Sequence, residues 1–133
     1  MADETRTRWS VAPYFRVTDV VESGNYYREL LGFQYERFWG DPPAFCMVWR
    51  SGIVIMLSQI EGQGPPRPNR LDDPEGEAWD AYVWVDDADA LHDEFASKGV
   101  KMVRGVCEQV YGNRDFEIED INGYRLCFGH SVT

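Results

Sequence analysis

The chain has 133 residues, ordinary apolar content and a formal net charge of −10. That length fits one domain with a real core. The acidity opposes nucleic-acid binding, and no run of 18 apolar residues is present to span a membrane. Cys46, Cys107 and Cys127 are odd in number and show no C-x-x-C spacing. This argues against a disulfide framework or a structural zinc site and for a reducing, cytoplasmic setting. The opening MADETRTRWS is polar and unlike a signal peptide, so residues 1–10 read as a loose arm.

Taken in order, Ala12 to Thr18 reads as a first strand. A helix from Asp19 to Leu31 follows, with Asp19 and Glu22 at capping-box spacing and Gly32 where a left-handed cap would end it. Phe33 to Phe38 reads as a second strand, Gly40 to Pro43 as a turn, and Ala44–Arg50 and Ile53–Gln59 as a hairpin. Residues 61–77 hold four prolines and three glycines and read as a linker or lid.

The stretch AWDAYVWVDDADALHDEF then repeats the opening unit. Ala81, Val83 and Val85 alternate with Asp80, Tyr82 and Trp84, giving a strand with one core face and one usable face. At Asp86 and Asp87 the period changes to that of a helix, which Gly99 ends, thirteen residues after Asp86 as Gly32 is after Asp19. Val100–Val106, Asn113–Glu119 and Tyr124–Gly129 read as strands, the last two joined by an Asn122-Gly123 turn. The result is an α+β chain of two βαβββ modules, about 11–60 and 78–130, with curved mixed sheets around a central cleft.

Alternation groups Tyr14 and Arg16 with Ala12, Val54 and Ser58 with Met56, and Tyr82 and Trp84 with Asp80, all towards the cleft. Phe38 and Trp39 end the second strand near the turn, and Trp49 lies on the third strand, where parity alone does not assign its face. Such an aromatic set suits a flat ligand held by stacking and, if charged, by cation–π contact. Asp72, Asp73, Glu75 and Glu77 beside Asp80 should focus a negative potential on the opening and favour cations. His92 reads as a solvated helix residue and His130 as a tail residue, so no Ser-His-Asp or Cys-His arrangement is suggested. Asp80 is the one carboxylate placed to act as a base, and Cys127 reads first as a small buried residue.

FRVTDVVESGNYYRELLGF, AYVWVDDADALHDEF and YGNRDFEIEDINGYRLCFG resemble the vicinal oxygen chelate superfamily of glyoxalases, extradiol dioxygenases and antibiotic resistance proteins. The last two stretches most resemble its bleomycin resistance branch, although Ile121 stands where that hairpin usually carries proline. The resemblance implies four metal-ligand positions, which fall on Ala12, Met56, Asp80 and Cys127. Alanine cannot ligate and a thioether suits hard cations poorly, so no metal and no cofactor is expected. It also implies that Tyr111, before Gly112, is a ligand-facing aromatic, and that two chains commonly share a cleft. A homodimer follows, since YYRELL would otherwise show large side chains to water. The expected function is sequestration of an aromatic small molecule, cations preferred over anions, by Tyr14, Phe38, Trp39, Trp49, Met56, Asp80, Tyr82, Trp84, Tyr111 and Cys127. The alternatives are a metal-independent enzyme using Asp80 or Arg114, and a glyoxalase-like lyase or dioxygenase.

Overall fold

A computed structural model describes residues 9–132. The arm expected over residues 1–10 lies, up to residue 8, outside the described residues. The chain forms β1 (Tyr14–Val17), α1 (Val20–Glu29), β2 (Phe38–Trp39), β3 (Phe45–Arg50) and β4 (Ile53–Gln59). After a 3₁₀ turn (Asn69–Asp72) come β5 (Ala81–Trp84), α2 (Ala88–Ser97), β6 (Lys101–Glu108), β7 (Asn113–Glu119) and β8 (Arg125–Ser131). Each module makes one four-stranded sheet, ordered β1-β4-β3-β2 and β5-β8-β7-β6. In each, the first strand runs parallel to the last and the rest pair antiparallel. That is two copies of βαβββ in an α+β fold.

The helices begin where short acidic side chains meet backbone amides. Asp19 accepts from Glu22 N at 3.1 Å and Asp87 from Ala90 N at 3.1 Å, each satisfying an orphan donor of the first turn. The second cap is Asp87 rather than Asp86, so the two modules differ by one residue between cap and terminating glycine. Gly32 has a φ of +72°, and a Cβ there would strike the Arg50 guanidinium as well.

The second strand departs most from expectation. Only Phe38 and Trp39 pair with β3, and a lone bridge joins Gln34 to Trp49. Phe33 N instead bonds Tyr27 O at the end of α1, and Tyr35 donates to Asn25, so residues 33–37 pack on the helix and meet the sheet only through Gln34. The proline-rich segment is also more than a spacer. Asp73 accepts from the amides of Glu75, Glu77 and Ala78, while Arg125 and Arg70 reach the carbonyls of Gly76 and Gly123. His130 lies in β8, where its Nδ1 accepts from Ala88 N at 2.9 Å.

The modules join through their helix-side faces. Phe15, Val17, Tyr27, Val48 and Leu57 share one apolar cluster with Val83, Phe95, Phe116, Ile118 and Phe128. Phe15 stacks on Tyr124 with centroids 4.3 Å apart, and Tyr27 donates to buried Asp120 at 2.6 Å. Tyr124 closes the seam on Arg16 O at 2.6 Å, and a bidentate Arg50–Glu94 pair at 2.7 and 2.9 Å ties β3 to α2. This joint core leaves the opposite face of each sheet open.

Candidate functional site

The alternation read from sequence sorts the strands correctly. Phe15 and Val17 are buried while Tyr14 is 58% exposed, and Val83 is buried while Trp84 is 65% exposed. The first open face carries Tyr14 and Met56 side by side, then Met47 paired with Met56, Trp49 with Val54, and Trp39 with Phe45. Phe38 takes no place there. It pairs with buried Cys46, and its ring lies so close to Gly24 on α1 that a Cβ would press into it. Arg37 covers Trp39, its guanidinium 3.5 Å from the ring centroid.

The second open face carries Tyr82 beside Cys127, and Glu117 and Asp115 on β7 facing Cys127 and Gly129. Trp79, Tyr82 and Trp84 follow one another with centroids 5.6 and 5.1 Å apart. Parity would send Trp79 to the core. It does not, because regular strand geometry begins only at Ala81.

Asp115 is the hub of this face. Fully buried, it accepts from Tyr111 at 2.5 Å, Arg104 at 2.7 Å, Tyr82 at 2.9 Å and Gln109 at 3.1 Å. Burial pushes its titration up, but the four donors outweigh burial and hold it below the usual carboxylate range. Two features of the backbone make the hub. Register shifts in β6 bring Arg104 opposite Glu117 and Cys107 opposite Asp115, so residues three apart meet the same face. Gly129 leaves room for Tyr82 to cross β8, since a Cβ there would overlap the phenol oxygen. Burial first, then the carboxylate, pushes the Tyr82 phenol up to about 12, with Asn113 donating to it at 2.7 Å in opposition.

Asp80 has a different role from the one expected. Its oxygens accept from Asn69 N at 2.7 Å and Arg125 N at 2.8 Å, so it fastens the linker to β8. It shares a cavity of about 480 Å³ with Tyr14, Arg16, Arg67 and Tyr124 at the module seam. Trp84 instead borders a second cavity of about 300 Å³, with Arg50, Glu94 and Phe128. Arg114 is held by Asp89 at 2.7 and 2.8 Å, off the open face. The predicted aromatics therefore form two separate walls, neither covered by the other module.

The four positions that hold metal in related folds do not fit one here. Ala12 has no donor, Met56 offers a thioether, and Asp80 is engaged by two amides. Burial and the nearby Asp115 push the Cys127 thiol up to about 12, which opposes the thiolate a metal needs. Among the described residues no group of three His, Cys, Asp or Glu side chains could hold a metal ion.

Asp115, Glu117, Arg104, Gly129 and Trp79 are the residues that sequence reasoning missed. The signal for the first two was present, because Phe116 and Ile118 on one face of β7 place Asp115 and Glu117 on the other.

No curated protein matches the sequence. Solved structures match its fold over nearly the whole chain. A glyoxalase-related enzyme from Clostridium phytofermentans has a TM-score of 0.74 and 17% identity, covering 98% of this chain and 100% of that one. A bleomycin resistance determinant encoded on the transposon Tn5 gives 0.72 and 14%, covering 95% and 100%. The bleomycin-binding protein from bleomycin-producing Streptomyces verticillus, complexed with copper(II)-bleomycin, gives 0.66 and 22%, covering 97% and 99%. At these identities the likeness is one of fold. The sequence model of one family matches residues 10–128, and the chain accordingly belongs to the Glyoxalase/Bleomycin resistance protein/Dioxygenase superfamily.

Proposed function

We propose that this protein sequesters a small aromatic molecule, cationic ones included, without changing it. The observation that carries the reading is the pair of aromatic walls left open to water. Trp84 is 65% exposed, and Tyr14, Tyr111 and Trp49 are each about half exposed. Large aromatic side chains gathered on open sheet faces are what a flat ligand would stack upon. The same walls support a homodimer in which module one of each chain faces module two of the other. Each ligand would then lie between Tyr14, Trp39, Trp49 and Met56 of one protomer and Tyr82, Trp84, Tyr111 and Cys127 of its partner.

A binding role rather than a lyase or dioxygenase reaction is favoured by the donor set at the metal positions and by a Cys127 thiol held protonated. Three free cysteines suit the cytoplasm, and no helix of the described residues is long and apolar enough to cross a membrane. Sequestration of this kind would protect a cell from a toxic aromatic compound such as an antibiotic.

The test is tryptophan quenching by a panel of aromatic ligands, with light scattering on the same samples. Trp84→Ala and Tyr82→Ala should each weaken a hit by about 1–3 kcal/mol. Unchanged affinity with a lowered melting temperature would make these residues structural and sink the reading. A monomer-sized particle at micromolar concentration would sink the shared cleft.

A further inference from the structure

Among the described residues the second open face holds four carboxylates, and three of them are fully engaged. Asp115 has its four donors, Asp80 its two backbone amides, and Glu119 is bonded by Lys101 at 2.7 Å and Arg125 at 3.3 Å. Glu117 is different. It is only 5% exposed, and its Oε2 has no hydrogen-bond partner among the described residues. The two neighbouring guanidiniums are committed elsewhere, Arg104 to Asp115 and Arg125 to Glu119 and Gly76 O. A buried carboxylate oxygen normally carries a partner, so an orphan on a face built to be covered calls for one from outside the chain.

We propose that Glu117 is the charge-recognition residue of this face, accepting from a protonated amine or similar N–H cation carried by the aromatic ligand. The inference rests on the binding reading above and adds the chemistry of the ligand's polar arm. The register sets the arm's reach. Tyr82 lies beside Cys127 on β8, and Cys127 pairs with Glu117 on β7. Two strand spacings, about 10 Å, separate the backbones of Tyr82 and Glu117, and the Tyr82 phenol already reaches Asp115, two residues from Glu117 on β7. A ring stacked on Tyr82 and Trp84 would pass its arm over Cys127, a small side chain whose protonated thiol adds no charge. Arg104 is the β6 partner of Glu117, and the charges of Arg125 and Arg104 bear on its carboxylate.

Protonation is part of the device. Burial pushes Glu117 above its ordinary value, Arg125 and Arg104 pull it down, and Asp115 and Asp80 push it up again. An ammonium donating to Oε2 favours the ionised form, so a ligand that meets protonated Glu117 expels that proton to solvent.

The experiment titrates the full-length protein with 2-(2-naphthyl)ethylammonium, 2-(2-naphthyl)ethanol and 2-naphthylacetate between pH 5 and 8. Wild type should bind the ammonium at least about tenfold tighter than the alcohol, with the preference shrinking as pH falls. Glu117→Gln should bring the two within about twofold and abolish the pH dependence. Glu117→Leu, one atom shorter, repeats the comparison without a polar atom, and neither variant should melt below wild type. A preference that survives both substitutions overturns the proposal while the binding reading stands. A pH dependence that survives assigns the titration to Asp115, Asp80 or Glu119, the other acids facing Glu117, and likewise overturns it. If none of the probes binds wild type, both readings fail.

Discussion

Gly129→Ala examines the construction of the second open face more sharply than any change to an aromatic. The added methyl group would occupy the space of the Tyr82 phenol oxygen and crowd Asp115. Tyr82 must then leave both its partners, Asp115 at 2.9 Å and Asn113 at 2.7 Å. A bond to a carboxylate contributes about 1.5–3 kcal/mol and a neutral one about 0.5–1.5 kcal/mol, so the expected loss is roughly 2–4 kcal/mol. For a chain of this size that is a fall in Tm on the order of 10 °C. The assay is thermal and denaturant unfolding of Gly129→Ala, Tyr82→Phe and the double variant. Because both single changes break the same bonds, their costs should be non-additive by at least about 1 kcal/mol. A near-neutral Gly129→Ala, or costs that add within about 0.5 kcal/mol, would show that β8 shifts to accommodate the methyl group and would refute the account of the hub.

Two further outcomes follow from the buried charges and the donor set. Asp120 is pushed up to about 6, first by burial and against the donors Tyr27, Asn122 N and Tyr124 N, and Glu117 is pushed up in the same direction. A carboxylate raised in the folded state takes up its proton there before the unfolded chain does, so these two groups add stability as pH falls from 7, until the depressed Glu94, Asp115 and Glu119 begin to lose theirs. Unfolding should therefore show a maximum near pH 5, on the order of 1–2 kcal/mol above pH 7.5, and Asp120→Asn should remove most of the gain; a flat or opposite trend contradicts it. Elemental analysis after purification without chelator should find no stoichiometric divalent metal, and one zinc, nickel, iron or manganese per chain would overturn that expectation.

Much of the fold was legible because period-2 and period-3.6 patterns are local. The bounds of β4 and β7 match those read from the sequence. What escaped depends on contacts across the chain. Residues 33–37 look like a strand, yet the end of α1 recruits Phe33 and Tyr35. Asp80 has the parity of a cleft residue, yet the linker spends its carboxylate on backbone amides, which no alternation can report. Arg104 became a site residue through register shifts in β6, and Gly129 through the path of a side chain from the neighbouring strand β5. The central cleft was inferred from two usable faces. The structure has both faces, and the modules join through the opposite sides.

Release of a bound aromatic molecule unchanged is what separates sequestration from catalysis. The most direct measurement takes each hit from the quenching panel, holds it with excess protein through many binding half-lives, and weighs the recovered ligand by mass spectrometry beside a protein-free control. Full recovery at the original mass, with binding weakened by Trp84→Ala, is the predicted result. A new mass that accumulates with time and scales with protein concentration would make this chain an enzyme and contradict the account.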